Sequence, residues 1–225
     1  MNLQGRVAIV TGGGPSVGRA VCVELGRAGA AVVAIDLDGE ALEQTATEVE
    51  FAGGRVETLV ADVSSEETFV DALALADSSF GRVDILVNHA SVDGPSEGFG
   101  SYPLADFDRL MAVNVRGTFL GLKHVLPRLI DQGAGAVVNF SCAADSEEDV
   151  ALGPYAASRH AVLGLTTSAA REAGPAGVRV NAIRMGPMGH RGCPEEVAEV
   201  VRFLVSPWTS ANGAVWSLEA GELVS

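Results

Sequence analysis

Apolar runs alternate with segments of helical periodicity along the whole chain. Arg6–Thr11, Ala30–Ile35, Val56–Ala61, Val83–Asn88, Ala136–Phe140, Val178–Ile183 and Ala214–Glu219 read as strands. Between them, Arg19–Ala28, Gly39–Phe51, Ser65–Phe80, Leu104–Ile130, Pro154–Ala173 and Pro194–Val205 place apolar residues three and four apart, as Val21, Leu25 and Ala28 do in the first. Strands that are apolar at every position need cover on both faces. Such strands separated by helices join in parallel through right-handed crossovers. The pattern therefore predicts an α/β fold: a single doubly wound parallel sheet with helices on both faces. No repeat, low-complexity stretch or linker interrupts it, so residues 1–225 are expected to form one domain.

Composition narrows the function classes. Hydrophobic residues make up 48% and charged residues 20%, too apolar for a disordered chain. No apolar run is long enough to cross a membrane. Fifteen basic residues against 29 acidic give a net charge of −14, which repels nucleic acid and anionic membranes. The three cysteines, Cys22, Cys142 and Cys193, form no CxxC and have no metal-ligand spacing with the four histidines. The N-terminus enters a strand at once, without the features of a secretion signal. A reduced, cytoplasmic protein with no bound metal and a small-molecule substrate is the expectation.

Candidate chemistry gathers at the strand ends. The turn Gly12-Gly13-Gly14-Pro15-Ser16-Val17-Gly18 follows a strand and opens a helix, which makes the domain Rossmann-type. Bare backbone there can approach a pyrophosphate, and a helix N-terminus favours the anion; the same turn is also a tight connection that binds nothing. Asp36 closes the second strand, 18 residues after Gly18. Its carboxylate can hold the ribose hydroxyls of NAD and repel the 2′-phosphate of NADP, or it is a solvated strand end. Asp62 and Val63 close the third strand, and Asn88-His89-Ala90-Ser91 the fourth.

These motifs together resemble the short-chain dehydrogenase/reductase family over essentially the whole length. Thr11–Gly18 is similar to its TGxxxGxG loop, Asp62-Val63 to its adenine-contacting pair, and Asn88-His89-Ala90-Ser91 to its NNAG segment. Asn114 matches the family's helix asparagine, Tyr155-Ala156-Ala157-Ser158-Arg159 its YxxxK, and Val180–Pro187 its VNxIxPG stretch. The resemblance implies hydride transfer between a nicotinamide cofactor and an alcohol or ketone. It implies Gly12, Ser16, Gly18, Asp36, Asp62, Val63, Asn88 and Ala90 as cofactor-binding residues, with NAD as the cofactor. Tyr155 would be the general acid/base, Arg159 its activating cation, Asn114 the organiser of a proton path, and Cys142 or Ser141 the group orienting the substrate.

The sequence also departs from that pattern. Arg159 replaces the usual Lys, and Cys142 stands at the serine position, 13 residues before Tyr155. A cation about 4 Å away is worth roughly 4 kcal/mol at an effective dielectric near 20, so Arg159 could still lower the phenol. Neighbouring strand residues face opposite ways, so Ser141 reaches the site only if the strand has ended before it. Ser16 replaces a Gly, Met185 a Pro, and His190 falls near the carboxamide-holding Thr. The substrate lid is reduced to residues 188–193. The loop carrying Asp145, Glu147, Glu148 and Asp149 would discourage anions if it lies at the pocket mouth. The stripe Val197, Val201 and Leu204, with the strand carrying Trp216, resembles one family subunit interface; helices Leu104–Ile130 and Pro154–Ala173 resemble the other. Altered catalytic groups beside complete interface elements favour an impaired, supporting subunit. It would pair with an active paralogue in a heterotetramer. The alternatives are a self-sufficient NAD-dependent dehydrogenase, alone or as a homo-oligomer, and an NAD-binding regulator without chemistry.

Overall fold

The computed structural model describes residues 2–142, 151–186, 193–219 and 222–224. In chain order the elements are β1 (Val7–Thr11), α1 (Ser16–Arg27), β2 (Ala31–Asp36), α2 (Gly39–Phe51), β3 (Arg55–Val60), α3 (Glu67–Phe80), β4 (Ile85–Asn88) and α4 (Leu104–Met111). A π-turn, Ala112–Arg116, leads into α5 (Gly117–Gln132). There follow β5 (Gly135–Cys142), α6 (Gly153–Ala173), β6 (Val178–Met185), α7 (Pro194–Val205), β7 (Val215–Glu219) and β8 (Glu222–Val224). The acidic residues Asp145, Glu147, Glu148 and Asp149 lie outside the described residues, as does the short lid, His190 included, apart from Cys193.

The strands form one sheet in the order β3-β2-β1-β4-β5-β6-β7-β8. Strands β1 to β7 pair in parallel, and β8 adds an antiparallel edge that the sequence pattern did not announce. Alternation within strands feeds two cores. Ala8 and Val10 face a layer with Val21 and Leu25 of α1, Leu42 of α2 and Leu204 of α7. Val7 and Ile9 face the opposite layer, with Phe69 of α3, Leu126 and Leu129 of α5 and Ala173 of α6. This doubly wound arrangement reverses direction between β1 and β4, and a crevice opens at the carboxyl ends of these strands.

Three expectations change. The helix expected from Leu104 to Ile130 is interrupted at Ala112–Arg116, where one extra residue is absorbed as a wider turn. That turn drives Asn114 inward to full burial. The stripe Val197, Val201 and Leu204, read above as an interface, is used inside this chain, where it seals α7 against α1 and the sheet. Strand β5 does not end before Ser141 but runs through Cys142, paired to β6 as far as Cys142 with Met185. Among the described residues no helix is long and apolar enough to cross a membrane.

Candidate active site

The Gly-rich turn packs as a cradle. Gly12 has φ +69, and a Cβ there would come within 2.8 Å of the Ala90 Cα. A Cβ on Gly18 would collide with the Gly12 carbonyl oxygen. The Thr11 hydroxyl accepts from the His89 and Ala90 amides, at 3.1 and 3.2 Å, which seats the end of β4 beneath the turn. His89 Nδ1 lies 3.1 Å from the Gly12 carbonyl oxygen. At the start of α1, Pro15 offers no side-chain cap and the first turn has no acidic residue. The orphan amides of the helix N-terminus are thus left for an anion. Ser16 sits in this turn at φ +52, in the left-handed region.

Asp36 lies at the next strand end. Its Oδ2 accepts from the Gly14 amide at 3.0 Å and its Oδ1 from the Asp38 amide at 3.1 Å. Each oxygen keeps a second lone pair for a ribose hydroxyl. Asp62 is held by the Ser64 amide at 2.8 Å, and Val63 rests on Gly117, where a Cβ would approach Val63 Cγ2 to 3.0 Å. These groups fit a dinucleotide: bare backbone under the pyrophosphate, a carboxylate at the ribose and an apolar wall beyond.

At the other end of the crevice, β5 and α6 bring Ser141, Cys142, Tyr155 and Arg159 together. Tyr155 is 3% exposed and Arg159 is 5% exposed. The guanidinium lies over the Tyr155 ring, its Cζ 5.0 Å from the centroid, and Nη1 donates to the Phe140 carbonyl at 3.3 Å. Burial dominates the ionisation of Tyr155 and pushes the phenol up to about 12. Arg159 pulls the other way and loses; the Cys142 thiol adds to the rise. Desolvation of the buried phenol outweighs the cation placed over its ring.

The two candidate substrate-orienting groups separate. The Ser141 hydroxyl donates to the Arg159 backbone carbonyl at 3.0 Å. The Cys142 thiol points to the Gly186 carbonyl at 3.4 Å. Asn114 acts through the backbone: its Oδ1 accepts from the Val92 amide at 2.8 Å, and its Nδ2 donates to the Val92 carbonyl at 3.0 Å and the Ser158 hydroxyl at 3.1 Å.

One cleft of about 690 Å³ joins the two ends. Gly12, Ser16, Asp36, Asp62, Val63 and Ala90 line one part, and Ser141, Cys142 and Arg159 the other. Gly18, Asn88, Asn114 and Tyr155 stand behind these walls. Asn88 spends its Nδ2 on Asn139 Oδ1 at 2.8 Å, bracing β4 against β5. Sequence reasoning passed over Leu37 and Arg109, which also line the cleft. Arg109 matches no motif; its signal is a helical face shared with Ala112 and Val113, three and four residues on.

Residues 6–193 match the family model described as short chain dehydrogenase. The chain is 39% identical over 250 residues to levodione reductase of Leifsonia aquatica, covering 96% of this chain and 94% of that protein. It is 40% identical over 184 residues to 2-(R)-hydroxypropyl-CoM dehydrogenase of Xanthobacter autotrophicus, covering 80% and 74% respectively. The crystal structure of NAD+-bound xylitol dehydrogenase superposes with a TM-score of 0.92 at 29% identity, covering 98% of this chain and 100% of that one.

Proposed function

The chain belongs to the short chain dehydrogenase family, and from that premise we propose that it is an NAD-dependent oxidoreductase of small alcohols and ketones, poised for reduction and weak on its own. The observation that carries this reading is the placement of Tyr155 beside Arg159 and Cys142, just behind the cleft wall, where burial pushes its phenol up to about 12. NADH, when bound, supplies the hydride. Tyr155 in its protonated form gives its proton to the ketone oxygen as that oxygen becomes an alkoxide. Arg159, over the ring, stabilises the tyrosinate left behind. Oxidation needs Tyr155 as phenolate beforehand, and at neutral pH a phenol of pKa about 12 is ionised in roughly one molecule in 10⁵. Cys142, a weak donor, orients a carbonyl poorly. Asn114 pins Val92, which lines the cleft.

NAD is preferred over NADP on electrostatic grounds. The Asp36 carboxylate stands where a 2′-phosphate would arrive. The nearby Arg19 is committed to Glu48 and Gln44, at 3.1 and 2.9 Å, and is not free to receive one. Calorimetry with NAD, and NADP as control, tests this: tight 1:1 binding of NAD is expected, and equal affinities overturn it.

A second reading is favoured by the coincidence of Arg159, Cys142 and the short 188–193 segment: this chain supports the site of an active paralogue in a heterotetramer. Arg159→Lys combined with Cys142→Ser separates the two. A gain in turnover of at least tenfold in the purified chain points to an autonomous site held back by these two groups. No gain, together with co-purification of an active family member, points to the supporting subunit. Turnover by the unaltered chain equal to that of ordinary family members would overturn both the weakness and the supporting role.

A further inference from the structure

At the reaction end of the cleft a thiol, and not a hydroxyl, meets an entering carbonyl. Cys142 lines the cleft, whereas the Tyr155 hydroxyl stands behind the wall, hydrogen-bonded to both the Cys142 thiol and the Arg159 guanidinium. The nearby hydroxyls are committed. Ser141 donates to the Arg159 carbonyl at 3.0 Å, and Ser158 to the Tyr155 carbonyl at 2.7 Å. Across the β5–β6 register Cys142 faces Met185, and with Phe140 these side chains make an apolar stretch of wall. Among the described residues this leaves sulfur as the nucleophile in that stretch, with a proton donor against it. The other two thiols are placed elsewhere. Cys22 is buried, with burial pushing its thiol up to about 12, and Cys193 is exposed at the start of α7.

We propose that Cys142 is a covalent nucleophile toward aldehydes, and that this chain oxidises them to carboxylic acids through a thioester on that sulfur. The inference rests on the reading of the cleft as an NAD-dependent reaction site. The Cys142 S–H adds across the aldehyde C=O: a C–S bond forms, and the thiol proton ends on the aldehyde oxygen by way of the Tyr155 hydroxyl. A protonated phenol suits this step, because it gives one proton as it takes the other. Arg159 and Cys142 touch the same hydroxyl, so a cation lies one group from the sulfur, and a nearby cation favours the reactive thiolate. The resulting thiohemiacetal keeps the aldehyde C–H bond. That bond then breaks, its hydride passes to bound NAD+, the hydroxyl proton leaves to water, and the C=O re-forms as a thioester. The carbon loses two electrons and NAD+ gains them. Water attacks the thioester, the C–S bond breaks, the acid leaves and sulfur regains its proton. A ketone adduct has no C–H on the reacting carbon and cannot go forward, so the substrate class is aldehydes. The stretch of wall made by Phe140 and Met185 fits an apolar chain on that aldehyde.

The test is intact-mass spectrometry of the purified full chain, quenched in acid after mixing with NAD+ and either hexanal or benzaldehyde, with peptide mapping of the modified residue. The expected result is one acyl group, the aldehyde less two hydrogens, on Cys142, released by hydroxylamine and absent when NADH replaces NAD+. Where hydrolysis outruns the quench, carboxylic acid and NADH are expected in equal amounts, formed at least tenfold more slowly by Cys142→Ser and Cys142→Ala. Cys142→Ser changes one atom and carries the test should Cys142→Ala fail to fold. Acid formed as fast by either variant overturns the proposal, since the aldehyde hydrate is then oxidised without the thiol. So does acylation of Cys193 in place of Cys142, or the absence of both acyl chain and acid with both aldehydes. The same preparation is titrated with NAD and assayed for ketone reduction. NAD binding and ketone reduction without acylation overturn this proposal alone; no NAD binding and no ketone reduction overturn the reading beneath it as well.

Discussion

Ser16 holds φ +52, a conformation that costs an L-residue about 1 kcal/mol and a glycine almost nothing. Ser16→Gly is expected to stabilise the chain by roughly 0.5 kcal/mol after the added unfolded-state entropy is counted, and to loosen nothing in the cradle; urea unfolding measures it. Gly18 tolerates no such freedom, because any Cβ meets the Gly12 carbonyl. Gly18→Ala should cost about 1–3 kcal/mol by overpacking and weaken NAD binding at least tenfold in the same preparation. The two tyrosines make an ionisation experiment clean. Burial raises the phenols of both Tyr102 and Tyr155, Asp106 adding to the first. At pH 10 the folded chain should show less phenolate absorbance than the chain in denaturant, where about half of each phenol is ionised. Because Tyr155 keeps its proton up to about 12 when folded and releases it near 10 when unfolded, its share of stability is complete below pH 10 and declines between 10 and about 12. Tyr155→Phe should remove that part of the slope.

Helix α7 illustrates how an apolar stripe can be read in two ways. Val197, Val201 and Leu204 recur at helical spacing, and the pattern does not say whether the buried face meets another subunit or the same chain. Packing against α1 settles it for these three side chains. Leu204→Ala should therefore cost about 2–5 kcal/mol, as a cavity in the core of one chain does, read as a lowered midpoint in urea. The α4–α5 segment shows the opposite case. Its apolar period continues across residues 104–130, so the π-turn at Ala112–Arg116 leaves no mark in the pattern. Only the bonds of Asn114 to Val92 reveal why the extra residue is there.

The molecule carries its net charge of −14 over a surface that also exposes Leu104, Phe107, Phe119 and Trp208, the last 76% exposed. Self-repulsion of this magnitude opposes compactness and is screened by salt. Raising sodium chloride from about 10 mM to about 0.5 M, where the screening length falls from roughly 30 Å to a few Å, should raise the melting temperature. A fall would mean that ion pairs such as Arg128–Asp77 outweigh the repulsion.

The fold and the cradle were legible without a structure because their causes are local. Runs of apolar residues, the spacing of Val21 and Leu25, and the placement of Gly12 and Gly18 between a strand and a helix each act within a few residues. Element ends moved by little, and α2 and α7 begin and end where the pattern places them. What the motif at Tyr155 and Arg159 does was beyond such reading. The pairing of a tyrosine with a cation four residues on is visible in the chain; whether the phenol ionises depends on how much water the whole fold removes from it. Segments distant in sequence decide that. Strand β5 running through Cys142 and the Phe140 carbonyl on Nη1 together leave Arg159 buried over the Tyr155 ring at the edge of the cleft. Desolvation and charge pairing sum over three-dimensional neighbours, and a linear spacing carries neither sum.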